Sequence, residues 1–85
     1  MTQDERQILI KTAEILYAHD MYYAGGYVED IINDIDLINY EKTAEPITEA
    51  EKDIIADALA ICDEHGYYGT GDLLLEVLNG TYTAG

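Results

Sequence analysis

The chain has only four Lys and Arg residues, one cysteine, one proline and neither Phe nor Trp in its 85 residues. A single cysteine excludes an intramolecular disulfide and is typical of a protein in a reducing cytoplasm. The first residues, MTQDERQILIKTAE, are polar, and no apolar run approaches the roughly 18 residues that a membrane span needs. A soluble, cytoplasmic protein is therefore expected. Since Phe and Trp are absent, Tyr, present eight times, is the aromatic residue that can fill core edges or interfaces.

The scarcity of positive charge is the largest departure from an ordinary composition. Eighteen Asp and Glu residues face the four Lys and Arg, for a formal net charge of -14. Such a chain repels DNA, RNA and acidic membranes and attracts basic surfaces, which argues against direct nucleic-acid binding and against membrane contact. Abundant, periodic Ile and Leu nevertheless predict a folded domain and not a disordered one.

Two similar segments organise the chain, MYYAGGYVEDIIND and HGYYGTGDLLLEVLNG. Displacing the sequence against itself by 46 positions aligns residues of several types: Thr2 with Thr48, Glu5 with Glu51, His19 with His65, Tyr22 with Tyr68, Gly25 with Gly71 and Asn33 with Asn79. Any two amphipathic helices match at apolar positions, but matches of these other residue types indicate a duplicated helical hairpin with pseudo-twofold symmetry. We therefore predict an all-α, four-helix fold.

The helix boundaries follow from capping residues and apolar spacing. Thr2 is a predicted N-cap, and Thr48 with Glu51 forms a predicted capping box. The long helices should end near His19 and His65, and Gly66 should supply a left-handed C-terminal cap. The turns are placed at 20–26 and 66–71, with Thr70 as the N-cap of the last helix.

The second helix is predicted over about 26–37, with an apolar face listed as Tyr27, Val28, Ile31, Ile32 and Ile35. A single domain over 1–85 results. It comprises a first hairpin at 2–38, a linker at 39–47 that holds the only proline, a second hairpin at 48–80 and a frayed tail at 81–85.

No catalytic, cofactor or metal motif is found. His19 and His65 suit helix C-termini, and the alternative of a metal or acid–base pair lacks a CxxC or HExxH spacing. Cys62 lies on an apolar stripe, as expected of a buried, inert thiol. An EF-hand register that starts at Asp34 fails at its fifth and sixth positions, and phosphate-binding glycine motifs are missing. The prediction is a protein that is not an enzyme and has no cofactor.

The acidic surface remains as the candidate for function. The candidate partner-binding residues are acidic and tyrosine side chains: Glu29, Asp30, Asp34, Asp36, Tyr22, Tyr23, Tyr67 and Tyr68. Carboxylates one helical turn apart lie about 5–6 Å from each other, a spacing similar in scale to that of phosphates along a nucleic-acid strand. One interpretation is a solvated face that only aids solubility, and the other is mimicry of a polyanion against a basic groove.

In size, charge and tyrosine-rich acidity the chain resembles the small acidic inhibitors that phages use against restriction or CRISPR nucleases. This resemblance rests on general character and not on a motif. It implies a basic protein partner, such as a nuclease or a nucleic-acid-binding complex, and location in the host cytoplasm if a phage encodes the protein. The first alternative is a toxin-neutralising immunity protein, since colicin-type immunity proteins are also small, acidic and four-helical. The second is a homo-oligomeric structural or adaptor module, for which a homodimer is one candidate form.

Overall fold

The structure, a computed structural model, describes residues 1–83 apart from the Ile35 side chain. Its regular elements are four α-helices, α1 Gln3–Ala18, α2 Tyr22–Ile32, α3 Glu49–Glu64 and α4 Tyr68–Asn79, and a short 3-10 helix at Ile35–Leu37. The described part of the chain contains no strand, so the predicted all-α, four-helix fold is confirmed. In that same part, no helix is both long enough and apolar enough to cross a membrane.

The core lies between two helical hairpins. Helix α1 packs on α2, α3 packs on α4, and the two long helices α1 and α3 pack against each other. Every helix contributes large side chains with little or no solvent exposure: Leu9, Leu16, Val28, Ile32, Ile55, Cys62 and Leu74. Burying each large aliphatic side chain contributes about 1.5–3 kcal/mol, so this apolar layer supplies the main favourable contribution to folding.

Both long helices begin with a complete capping box. The Thr2 hydroxyl accepts a hydrogen bond from the Glu5 N–H at 3.1 Å, and the Glu5 carboxylate accepts one from the Thr2 N–H at 2.8 Å. Thr48 and Glu51 repeat the arrangement at 3.1 and 2.9 Å. The predicted N-caps of the two long helices, Thr2 and Thr48, are therefore confirmed. Helix α3 begins 46 residues after α1, and α4 begins 46 residues after α2. Duplication of an ancestral hairpin remains a prediction.

The reversals between helices are shorter than predicted. Helix α2 begins at Tyr22 and ends at Ile32, where the sequence predicted about 26 and 37. The chain reverses through single left-handed residues after each long helix, Asp20 at φ 63° and Gly66 at φ 80°. Left-handed Asn33, at φ 58°, ends α2 early, because it directs the chain out of the helical path.

The paired tyrosines therefore belong to the first turns of α2 and α4, and the following glycines lie inside these helices. Thr70 is buried within α4 and is not its N-cap, which is Tyr67. A Cβ atom on Gly25 would lie 3.1 Å from the Tyr17 ring, and one on Gly71 would lie 3.1 Å from an Asp63 carboxylate oxygen. These two glycines allow close approach between helices, which the prediction of turn glycines missed.

Two further predictions need correction. Tyr27 is 41% exposed and does not join the apolar face of α2, where Val28 and Ile32 are buried. The side chain of Ile35, placed on the same face, lies outside the described residues. The tail is docked at Tyr82, which packs on the core and accepts a hydrogen bond from the Ala24 N–H at 3.0 Å. Residues 84 and 85 of the predicted frayed tail also lie outside the described part.

The two histidines tie opposite ends of α1 and α3 together. His19 contacts Glu51 at 3.2 Å, and His65 contacts Glu5 at 3.2 Å. Each histidine thus ends one long helix and contacts the capping glutamate that opens the other. Within residues 1–83, no group of three or more His, Cys, Asp or Glu side chains is arranged to hold a metal ion.

Because of these contacts, the stability that the capping glutamates contribute to the fold depends on pH. Burial alone would raise the pKa of Glu51, but the Thr48 N–H and His19 outweigh it and lower the pKa below its usual value of 4.5. A carboxyl group whose pKa is lower in the folded state stabilises the fold above its unfolded pKa. That stabilisation is lost as the pH falls through the folded value.

Glu51→Gln is therefore expected to lower the free energy of unfolding at neutral pH by about 1 kcal/mol, the usual contribution of one hydrogen bond. The difference from the unmodified protein should shrink once the pH is well below 4.5. Glu49→Gln is the control, since Glu49 lies in the same first turn and only pairs with Lys52 at 3.6 Å on the surface. Urea unfolding at both pH values measures the effect, and a loss for Glu51→Gln that is unchanged in acid would contradict it.

Candidate partner-binding face

Three of the four acidic residues proposed from the sequence come together at the C-terminal end of α2. Glu29, Asp30 and Asp34 line one open surface depression of about 280 Å³ with Asn33. Asp36 lies in the 3-10 helix beyond, exposed and outside the depression. The early end of α2 means that Asp30 and Asp34 do not share a helical turn. They face the same depression because the left-handed residue Asn33 turns the chain back beside the helix.

Among the described residues, no ion pair within 4.0 Å compensates the charges of this depression. In residues 1–83, the carboxylates with a cationic or histidine partner within 4.0 Å belong to Glu5, Asp20, Glu49 and Glu51. Arg6 reaches this end of α2, but its guanidinium donates to the Ile32 carbonyl oxygen at 2.7 Å. A concave surface lined by carboxylates of one sign concentrates negative potential and attracts cationic groups from a distance.

Glu29 connects the depression to the helix interface behind it. Its Oε2 accepts a hydrogen bond from the Tyr17 hydroxyl at 3.1 Å, while its buried Oε1 has no donor among the described residues. Burial and the neighbouring Glu29 carboxylate raise the pKa of Tyr17 to about 12, so Tyr17 remains a protonated donor.

Three tyrosine side chains extend this surface from the depression toward the N-terminal end of α2. The Tyr23 and Tyr27 rings lie 5.1 Å apart, with their hydroxyl oxygens 3.2 Å apart, and the two side chains are 48% and 41% exposed. The hydrogen bond with Tyr23 raises the pKa of Tyr27. Tyr22, the residue before Tyr23, is 38% exposed and packs against Tyr17, with the two ring centres 5.8 Å apart. We define the α2 face as the following set: Tyr22, Tyr23, Tyr27, Glu29, Asp30 and Asp34.

The other predicted tyrosines, Tyr67 and Tyr68, lie elsewhere. They mark the start of α4, and Tyr82, which follows the end of α4, bonds the start of α2 at Ala24. Helices α2 and α4 are thus antiparallel, and their paired tyrosines lie at opposite ends of the bundle. The structure therefore does not bring the four predicted tyrosine anchors together. Tyr68, 67% exposed, lies at the opposite end of the bundle from Tyr22, although the two residues hold matching positions 46 residues apart in the sequence.

The α2 face and the contacts beside it include residues that sequence reasoning missed. Tyr27 follows Tyr23 by one helical turn, a signal that was present in the sequence but was interpreted as core. Tyr17 comes from α1, and Tyr40, from the linker, stacks on it at 5.3 Å. No spacing rule in the sequence connects Tyr17 with Tyr40, because only the packing of the linker across α1 brings them together.

Cys62 takes no part in this surface. It is fully buried, and burial raises the pKa of its thiol to about 11, so the thiol stays protonated and inert. The expected burial of Cys62 is confirmed.

Comparison of the chain with models of protein families, with curated proteins and with solved structures found no match. We therefore infer function from the geometry and charge of the α2 face.

Proposed function

We propose that this protein is a small acidic inhibitor that binds a basic surface of a nucleic-acid-binding protein and competes there with nucleic acid. The observation that supports this most is the uncompensated group of carboxylates, Glu29, Asp30 and Asp34, that lines one depression in a chain of net charge -14. A basic groove built for phosphates would neutralise these charges on contact.

The tyrosines on the same helix suit such an interface. Tyr22, Tyr23 and Tyr27 are each partly exposed, with apolar rings that can be covered and hydroxyls that can bond a partner. Tyrosine is enriched at the centres of protein interfaces, and its ring attracts arginine and lysine side chains. The α2 face therefore combines long-range attraction by the acids with short-range contact by the rings.

The exposure of these side chains limits how much each ion pair contributes to the binding free energy. One exposed ion pair contributes about 0.2–1 kcal/mol and is screened by salt. Several such pairs across a complementary face mainly accelerate association and select basic partners. Binding to the target is therefore expected to weaken steeply as ionic strength rises.

Displacement of nucleic acid tests this proposal. Purified nucleases with basic grooves would each be loaded with a fluorescently labelled duplex, and release of the duplex would be followed by anisotropy at rising salt. The proposal expects that a target releases the duplex and that this effect is lost at high salt. Tight binding to a target that barely changes with salt would contradict electrostatic capture and favour the packed interface of an immunity-type protein.

A further inference from the structure

One basic side chain of the chain itself is bound at the edge of the α2 face. The Lys42 ammonium lies 3.3 Å from an Asp20 carboxylate oxygen and 4.9 Å from the centre of the Tyr22 ring. The Tyr22 hydroxyl donates to the same Asp20 oxygen at 2.9 Å. A carboxylate accepts charge-assisted hydrogen bonds from a cation, and an aromatic ring attracts one to its face, so the two groups together favour a cation at this point.

The carboxylate stands at a backbone position that a side chain rarely occupies. Asp20 has φ 63°, and the corresponding residue of the second hairpin, 46 positions on, is Gly66 at φ 80°. Glycine adopts this conformation freely, whereas other residues are seldom found in it. The first hairpin thus keeps a carboxylate where the second hairpin has the more permissive residue.

This corner is continuous with the acidic depression. Tyr22 packs on Tyr17 at 5.8 Å, and the Tyr17 hydroxyl bonds Glu29, which lines the depression. A basic partner that covers the α2 face would therefore also reach Asp20 and Tyr22. Lys42 lies in a linker segment and is 62% exposed, so it can leave without disturbing the core.

We propose that Asp20 and Tyr22 form a docking site for an arginine or lysine side chain of the basic partner, and that Lys42 occupies this site in the free protein. The inference rests on the proposed function and gives it one specific contact. Binding exchanges one cation for another at the site, so Lys42 acts as an internal competitor that the partner displaces.

Removal of this competitor is the test. An oligoarginine peptide would be titrated into the protein at low salt, and its affinity would be taken from NMR shifts of the Tyr22 ring. Lys42→Ala should bind the peptide about three- to tenfold more tightly than Lys52→Ala, from the sizes of exposed ion pairs and cation–π contacts. Lys52→Ala is matched, because it removes the same charge from an ion pair elsewhere, with Glu49.

A second pair of variants tests the same site with a substitution that should not destabilise the protein. Asp20→Gly should weaken the shifts of the Tyr22 ring more than Asp53→Asn does, although both remove one negative charge. Its melting temperature should not fall below that of the unmodified protein, because glycine suits the left-handed position.

The outcomes separate this inference from the proposed function. Equal peptide affinity for Lys42→Ala and Lys52→Ala would overturn the docking site and leave the acidic inhibitor standing. No binding of the peptide by any variant would overturn both. Tighter binding by Lys42→Ala alone, lost again when Asp20→Gly is added, would support the exchange of cations at this corner.

Discussion

Replacing Asp30 and Asp34 together with lysine is expected to weaken competition with nucleic acid at the target by about 100-fold or more. Both residues line the depression of the α2 face, and lysines there would oppose a basic groove instead of neutralising it. In the matched control, Asp53 and Asp57 are replaced with lysine, which reverses their charges. These two residues are four positions apart and exposed on α3. Both double variants change the net charge by the same amount, and only the first changes the proposed interface.

The measurement is the displacement of labelled duplex, with circular dichroism to establish that both variants fold. Asp34 also accepts a hydrogen bond from the Asp36 N–H at 3.2 Å, so Asp34→Asn with Asp30→Lys provides a milder version that can keep this turn. An equal loss in both charge-reversed variants would mean that net charge alone governs binding. Unchanged binding by the Asp30 and Asp34 variant would move the interface to another face.

Gly25→Ala is expected to destabilise the protein, and Gly26→Ala to stabilise it, although the two glycines are neighbours inside α2. A Cβ atom at Gly25 would lie 3.1 Å from the Tyr17 ring, whereas one at Gly26 would meet only the Tyr17 hydroxyl, at 4.0 Å. Alanine in a helix interior gains about 0.5–1 kcal/mol over glycine. At Gly25 this gain is opposed by crowding of about 1–3 kcal/mol, because Tyr17 is held between Tyr22 and Tyr40 and cannot move away freely.

Thermal and urea unfolding of the two variants would give the difference directly. A stability gap of about 1–3 kcal/mol between them is expected, with Gly26→Ala the more stable. Equal stabilisation of both variants would show that the Tyr17 ring yields without loss, and that α2 and α1 are not locked in contact at this point.

The two long helices and their N-terminal caps could be predicted from the sequence because their causes are local. Thr48 and Glu51 are three residues apart, and the side chain of each accepts a hydrogen bond from the backbone N–H of the other. The capping box therefore requires only that a helix begin after Thr48. The apolar stripe that buries Leu9, Leu16 and Ile55 follows from helical spacing alone. The ends of α2 were harder to predict. Asp20 and Asn33 adopt left-handed backbone conformations, which residues other than glycine adopt only occasionally, so residue type alone does not place them there.

The candidate site was predictable in part. Glu29, Asp30 and Asp34 could be proposed from the excess of acid, but their common depression depends on how the chain folds back after Asn33. Sequence similarity placed Tyr68 with Tyr22, while the antiparallel packing of α2 and α4 separates them.

The sequence by itself determined the helical class, the N-terminal caps of the two long helices, the buried stripes and the strong negative charge. Each of these depends on residue type or on contacts within one or two helical turns. Tertiary structure alone decided that His19 meets Glu51, that Tyr82 bonds Ala24 and that Lys42 lies against Asp20 and Tyr22. These contacts join residues from different elements, and the packing of the two hairpins and the course of the linker bring them together.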